Sequence, residues 1–503
     1  MLQTLYDIKD EEIDRLVKST IDEIEKIGND FQITMKLLGA TKNNKNKSYF
    51  QQALMIYPEL IRDQYCRDII KQTKKSYVKQ AKAGRLKVNG HYHFVSPDLY
   101  AFCEWLFLGE QNPKGLLKIN EVYCNSFKNN DELACLRSPH LYKEWVIKKN
   151  KINDELNKWF GNTNCIYTSC HNLASKVLQL DFDGDRLLVI KDKTLTSIAK
   201  RNMQNIVPLY YEMKKAKAQF INNESLYKGM ELAFTCGNIG PISNLITIVH
   251  NNGEENRQEA ENVVKWLTME NNFVIDGAKT EYFLTRPKEI NEIIKKHTKY
   301  KLPHFFIYAK DKLETQVEEP NNSTMNRISL KIPSSRIKFN KSVGKVDYRV
   351  LMNQSVDYNI SEQNTIIRLY DYYNKHKQSF NLENKNIKDK DLYFYQQVRK
   401  NIVKQTGKDI DYIVNTLVSF LYTVRPTSSK KILWESFGDI IYNNIKNNID
   451  DTTKICPICG KRFKPNSHAP HTICCSKNCS VELKKMNRQK KCSSVIKLKS
   501  IIK

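Results

Sequence analysis

Two groups of side chains in this sequence have the types and the spacing to do chemistry. In LQLDFDGDRLLVIKD, Asp181, Asp183 and Asp185 stand at alternate positions, with Gly184 between the last two. Three carboxylates so close together repel one another, and a chain tolerates them where a hard cation sits among them or where the turn is fully solvated. Gly184 lets the backbone curl so that the carboxylates converge. Apolar β-formers flank the triplet at 177–180 and 187–190, which predicts a strand, a tight acidic turn and a second strand. An EF-hand loop needs Gly at its sixth position and usually Glu at its twelfth; counted from Asp181 these are Arg186 and Asp192, which argues against calcium of that type. A solvated acidic turn explains neither the spacing nor the apolar flanks.

The second group lies near the C-terminus, in CPICGKRFKPNSHAPHTICCSKNCSVELKKMNRQKK. Cys456 and Cys459 form Cys-x2-Cys, with Gly460 after them as a tight knuckle, and Cys475 and Cys479 form Cys-x3-Cys. Four thiolates at this spacing suit a closed, tetrahedral, structural Zn²⁺. Cys474 is an alternate ligand, and His468 and His471 are weaker ones. A disulfide cluster is the alternative and is disfavoured inside cells. Residues 452–503 carry 13 Lys and Arg against the single acid Glu482, so the finger is expected to grip nucleic acid.

The elements around these groups must come from a chain of 503 residues, long enough for two to four domains. An apolar content of 40% excludes global disorder. Mean hydropathy is -0.57 and no long apolar run exists, which excludes a membrane-spanning helix. The N-terminus MLQTLYDIKDEEIDRLVK has no apolar signal region, so an intracellular protein is expected. Cys66, Cys103, Cys124, Cys135, Cys165, Cys170 and Cys236 are scattered and read as buried thiols in a reducing compartment. The net charge of +26 points to a polyanionic partner such as nucleic acid, although AT-rich coding would also enrich Lys.

Helical periodicity covers residues 1–83, with Pro58 breaking YFQQALMIYPELIRDQY. Strand-like pieces dominate 84–195: RLKVNGHYHFVS, GLLKINEVYC, ELACLRS, NCIYTSC and VLQLDFDGDRLLVI. Helical spacing returns over 196–300, including LYYEMKKAKAQF, where Tyr210 and Tyr211 could stack on bases or pack in a core and Lys214, Lys215 and Lys217 could track phosphates or face solvent. A mixed segment spans 301–360, with KLPHFFIYAKDK as a buried strand and EEPNNSTMN as a surface loop; 361–451 is helical again, and 452–503 is the finger and basic tail.

DFDGD resembles the metal-binding motif of multisubunit RNA polymerases and of the cellular RNA-silencing polymerases, where the loop projects from a six-stranded double-psi β-barrel. LACLRSPHLYKEWVI resembles the Arg-x-Pro-Thr-Leu-His segment of the large subunit, matching at Arg137 and Pro139, with His140, Leu141 and Tyr142 a loose echo. GRLKVNGHYHFVSPDLYAFCEWLF resembles the strand that opens the barrel. NIGPISNLITIVHNN and WLTMENNFVIDGAKT resemble silencing-polymerase segments at Gly240, Ile242, Ser243, Asn244, Asp276, Lys279 and Thr280, and PHFFIYAKDK lies where those continue. Over roughly residues 30–350 the order of motifs is similar to the single-chain phage DNA-dependent RNA polymerases of the YonO type.

The resemblance implies an α+β fold: a double-psi β-barrel polymerase core with helical regions around it and a C-terminal zinc finger. It implies a template-directed RNA polymerase, a nucleotidyltransferase acting by two-metal Mg²⁺ chemistry at Asp181, Asp183 and Asp185, with structural Zn²⁺ on the four cysteines. Arg137 would lie near the nucleotide sugar, or pair as a strand-end arginine with a carboxylate; Lys279 would meet phosphate, or be a helix-end lysine. Partners would be a DNA template, favoured over RNA, the RNA product and ribonucleoside triphosphates, with no membrane and no obligate protein subunit. The setting would be the cytoplasm of a bacterial host, encoded by a phage or prophage. The same families carry a further barrel with catalytic lysines; no such barrel is legible here, and Lys82, Lys87, Lys114 and Lys118 match no motif. The competing class is a nucleic-acid-binding finger protein with an inactive barrel, which would have no need of an intact acidic triplet.

Overall fold

In a computed structural model, described for residues 1–499 apart from 214–215, 236–238, 254–256, 283–284, 340–342, 344, 359–364, 384–386, 450–451 and 468, the chain forms two units that alternate along the sequence. One comprises 1–22 and 78–333, the other 23–77 and 334–503.

The first unit is built on a closed barrel of six strands: β1 (Gly90–Pro97), β2 (Glu121–Tyr123), β3 (Glu132–Arg137), β4 (Val146–Asn150), β5 (Ile166–Thr168) and β6 (Arg186–Ile190), in the order β1-β5-β2-β4-β3-β6. β1 runs parallel to β5 and β2 parallel to β4, and the other four pairings are antiparallel. Closure leaves no exposed edge. Period-two patterning sends Val95, Val122, Leu133, Cys135, Val146, Ile166, Leu187 and Val189 into one buried core. The helices Ile239–Asn251, Arg257–Ile275 and Lys288–Thr298 pack through Ile246, Val249, Val263, Val264, Leu267 and Ile294 on Leu141 and Tyr142, which follow β3. The expected barrel core is therefore present, and among the described residues there is one closed barrel.

The second unit is helical: Phe31–Leu37, Tyr49–Ile56, Thr365–Glu383, Lys390–Thr406, Ile410–Ser419 and Lys431–Asn448 enclose a core that includes Leu54, Leu60, Phe394, Leu417, Trp434 and Phe437. Pro58 ends one helix and opens the turn Pro58–Arg62, as its missing N–H dictates. The unit also holds the hairpin of β7 (Lys454–Ile455) and β8 (Arg462–Phe463), followed by helix Lys477–Lys499.

Several local expectations are overturned. The run 177–180 is no strand: Ala174–Val177 is a helical turn, and Leu180 donates its N–H back to the Ser175 carbonyl at 2.8 Å. Helix Leu99–Leu108 interrupts the strand-rich region, seeded by Asp98, whose carboxylate accepts the N–H of Tyr100. The described residues of 206–221 form no helix, so the amphipathic helix expected over LYYEMKKAKAQF is not found among them. KLPHFFIYAKDK contributes a single bridge at Leu302 and a short helix Phe306–Ala309, not a buried strand. Within EEPNNSTMN the helix Thr324–Lys331 already begins. Of the scattered thiols Cys66, Cys124 and Cys135 are buried, Cys103 and Cys165 are partly so, Cys170 is exposed, and Cys236 lies outside the described residues. No described helix is long and apolar enough to cross a membrane.

Candidate active site

The acidic loop enters from the turn at Ala174–Val177 and leaves directly into β6. Its backbone is tightly wound: Gln179, Phe182 and Gly184 have φ of 53°, 60° and 126°. Two of these are not glycine, so the surrounding structure must hold them against a local strain. Phe182 packs with Val177 and Leu180 against the barrel core. That anchoring explains the alternation in DFDGD: the intervening aromatic turns inward and the carboxylates of Asp181 and Asp183 are left outside. The N–H of Val95 in β1 donates to the Asp185 carbonyl at 3.1 Å, extending the β1–β6 pairing to the end of the loop.

The structure brings the three predicted carboxylates together, with one oxygen of each lying within 4.8 Å of the others. Asp181 and Asp183 are exposed, whereas the Asp185 side chain is only 8% exposed. Arg137, at the end of β3, donates from Nε to Oδ1 of Asp185 at 2.7 Å and from Nη1 to the Gln179 carbonyl at 2.7 Å. The Asp181 N–H donates to the other oxygen of Asp185 at 3.1 Å. One guanidinium offsets one carboxylate and leaves two exposed anions converging, a hard-oxygen set that fits a divalent cation. Tyr92, Ser138, Asp183, Gly184, Asp185 and Arg186 line an open cleft of about 510 Å³ beside the loop. Arg186 covers the Phe94 ring at 4.8 Å.

Sequence reasoning missed a clamp behind the loop. Gln179 Nε2 donates to Glu144 Oε1 at 3.1 Å, and Asn272 Nδ2 donates to Gln179 Oε1 at 2.7 Å. Glu144 is buried and also accepts the N–H groups of Leu141 and Tyr142 at 3.3 and 3.2 Å. Burial pushes its carboxyl up to about 7, against the pull of those N–H donors. The available signals were the nearness of Gln179 to Asp181 and the period-two placement of Tyr92 and Phe94 on β1.

Other predicted residues fall elsewhere. His140 is buried beside Thr4 and held well below the usual imidazole range by burial. Ser243 donates to Asn271 at 3.4 Å, and Lys310 of the PHFFIYAKDK segment donates to Asn244 at 2.6 Å, so two segments singled out separately meet away from the cleft. Tyr211 bonds Asn272 and packs edge-on to Phe273, while Tyr210 and Lys217 are exposed. Lys214 and Lys215 lie outside the described residues. Lys279 belongs to the short helix Gly277–Thr280, and its side chain is also outside them. Lys82, Lys87, Lys114 and Lys118 are not among the residues lining the cleft.

In the second unit the sulfurs of Cys456, Cys459, Cys475 and Cys479 lie within 4.8 Å of one another. The Cys459 and Cys475 sulfurs are 3.4 Å apart, and those of Cys475 and Cys479 3.8 Å. Burial works against ionisation of Cys456, yet the backbone N–H groups of Cys459, Cys475 and Ile458 pull its thiol down to about 6. The β7–β8 turn supplies this geometry: the Gly460 N–H donates to the Cys456 carbonyl at 2.9 Å across the knuckle, and Gly460 has φ of 72°. Four converging thiols fit a soft, tetrahedral cation. Cys474 is buried but outside the foursome, His471 is exposed, and His468 lies outside the described residues.

With this geometry in place, comparison with known proteins is direct. The chain is 45% identical over 469 residues to the DNA-directed RNA polymerase YonO of Bacillus phage SPbeta, covering 93% of this chain and 54% of that protein. The chain thus spans about half the length of the curated relative it matches. A solved structure of the RNA dependent RNA polymerase QDE-1 from Thielavia terrestris aligns with 90% of this chain and 56% of its own, at TM-score 0.49 and 10% identity. The family model for RNA dependent RNA polymerase matches residues 2–336, which contain the barrel, the acidic loop and the clamp behind it, and the chain belongs to that family.

Proposed function

We propose that this chain is a template-directed RNA polymerase that joins ribonucleoside triphosphates to an RNA 3′-hydroxyl, with DNA as the favoured template. The observation that carries the reading is the convergence of Asp181, Asp183 and Asp185 beside a cleft that the last two help to line, within a family of template-directed polymerases. The name and the 45% identity of the phage relative support the DNA template. The family's own name favours RNA as the second reading.

Asp181, Asp183 and Asp185 would hold Mg²⁺, which when bound lowers the pKa of the 3′-hydroxyl and neutralises the pyrophosphate leaving group. The chain's own residues then supply placement. Arg137, bonded to Asp185 and to the Gln179 carbonyl, would keep Asp185 turned toward its two neighbours, and its remaining N–H would meet the ribose. A charged donor at a 2′-hydroxyl is one way to distinguish ribose from deoxyribose. Lys279 is assigned a phosphate contact. The thiols of Cys456, Cys459, Cys475 and Cys479 would hold a structural Zn²⁺, so that the basic finger meets template or product through phosphates. The setting is the cytoplasm of a bacterial host cell, with no obligate protein subunit.

Purified chain, incubated with four ribonucleotides and either DNA or RNA templates, tests this reading. Template-dependent RNA made on DNA supports it, RNA made on RNA alone selects the second reading, and a chain that binds both templates but extends neither is the inactive finger protein.

A further inference from the structure

Gln179 occupies a position that a chain would not choose for local reasons. Its φ of 53° is in the left-handed region, where a long side chain is disfavoured, and its side chain is half-buried. Both ends of its amide are used: Nε2 donates to Glu144 and Oε1 accepts from Asn272. Its backbone carbonyl accepts Nη1 of Arg137, whose Nε holds Asp185. A continuous set of bonds at 3.1, 2.7, 2.7 and 2.7 Å therefore runs from Glu144 and helix Arg257–Ile275, through Gln179 and Arg137, to a carboxylate of the acidic triplet. Tyr211 joins the same node through its hydroxyl, which accepts from Asn272.

We infer that Gln179 is a positioning residue: its amide, gripped by Glu144 and Asn272, sets the place of Arg137 and through it the approach of Asp185 to Asp181 and Asp183. The inference rests on the metal-binding reading of the acidic loop and adds to it the device that holds the loop ready. The physical need is clear. The three carboxylate oxygens stand within 4.8 Å of one another, so their mutual repulsion favours splaying. The exposed carboxylates of Asp181 and Asp183 meet no cation among the described residues that would resist it, and only Asp185 is tied to the body of the fold. The tie is as firm as its far end, and the far end is the half-buried amide node anchored on buried Glu144. Gln179 touches no substrate; it acts through Arg137.

Groups that orient metal ligands typically change metal affinity about 10- to 100-fold when removed. The test is Mn²⁺ binding to the full, zinc-loaded chain, followed by electron paramagnetic resonance, with Asp183→Asn as the baseline. Gln179→Gly is the decisive variant. Glycine accepts a φ of 53° without strain, so thermal stability should hold or rise while Mn²⁺ affinity falls about 10-fold or more. Glu144→Ala should give a similar loss, and the double variant no more than the larger single one, because both cut one relay. Wild-type affinity in Gln179→Gly would overturn the inference while leaving the metal site intact. Independent, additive losses would also overturn it. If the wild-type chain shows no Mn²⁺ binding that depends on Asp183, both the inference and the metal reading of the loop fall.

Discussion

The carboxylate loop and the thiolate knuckle each gather anionic donors, and they do so by opposite means. Around the aspartates the decisive bonds are distant in sequence: Arg137 reaches Asp185 across 48 positions, and Asn272 reaches Gln179 across 93. Around the cysteines the organising bonds are local, between Cys456 and Lys461 at 3.0 Å and between Gly460 and Cys456 at 2.9 Å. The aspartate loop opens on a cleft and keeps two carboxylates exposed, as the proposed catalytic centre would require. The knuckle offers four ligands and no open position, which suits an ion that stays. An open site must be braced from elsewhere in the fold, whereas a closed one can be braced by its own ion and a short hairpin.

The largest test of this contrast is Asp183→Asn. An amide replaces an exposed hard anion, so nucleotide addition should fall more than about 100-fold, beyond the range for groups that only orient ligands. Circular dichroism should remain unchanged. Full activity in the purified variant would remove Asp183 from the chemistry.

Stripping zinc with a chelator should do the reverse, melting structure without touching the barrel chemistry directly. Structural zinc sites carry about 10–16 kcal/mol of apparent binding free energy in isolated fingers, so amide hydrogen exchange should accelerate sharply over 454–479 and stay slow in β1 and β6. Metal analysis should give one zinc per chain before treatment. Uniform loss of protection through both regions would contradict the division between an open and a closed centre.

Deleting 452–503 should weaken template binding and flatten its salt dependence, by about 0.9 in log–log slope for every duplex DNA phosphate that the finger no longer neutralises. An unchanged slope, measured by titration at several salt concentrations, would assign the finger to a protein partner. Arg137→Ala comes next. If its free edge meets the ribose, selection of ribonucleotides over deoxyribonucleotides should drop roughly 10- to 150-fold, the worth of a hydrogen bond to a charged group. Unchanged preference in a competition assay would leave Arg137 as the partner of Asp185 alone.

The smallest effect compares the two loop glycines. Both have positive φ, so alanine strains the backbone by about 1–3 kcal/mol at either site. At Gly184 nothing lies within 4 Å of the added Cβ, whereas at Gly460 it would meet the Phe31 ring at 2.4 Å. Gly460→Ala should therefore lower the melting temperature of its unit more than Gly184→Ala lowers that of the barrel unit. The opposite order would show that the knuckle can shift away from Phe31 at little cost.

By itself the sequence singled out two groups of residues whose types and spacing suit chemistry. Alternation in DFDGD and the Cys-x2-Cys and Cys-x3-Cys spacings are local patterns, so Asp181, Asp183, Asp185 and the four cysteines could be named, and the structure gathers both sets. Helical periodicity over 361–448 was read in the same way, because one buried face repeats every turn, and the helices Thr365–Glu383, Lys390–Thr406, Ile410–Ser419 and Lys431–Asn448 lie within it. Short apolar runs were not legible: 177–180 and 302–309 have no length over which period two and period 3.6 can be told apart, and packing made them turns and helix. Arg137 was named in advance, but its pairing with Asp185 was only one of two readings, since a guanidinium at a strand end can face any acid the barrel closure brings to it. The amide clamp of Glu144, Gln179 and Asn272 was not legible, because its members lie far apart along the chain and only the nearness of Gln179 to Asp181 marked any of them. Local spacing marks the candidate ligands; only closure of the barrel against the helices decides what holds them in place.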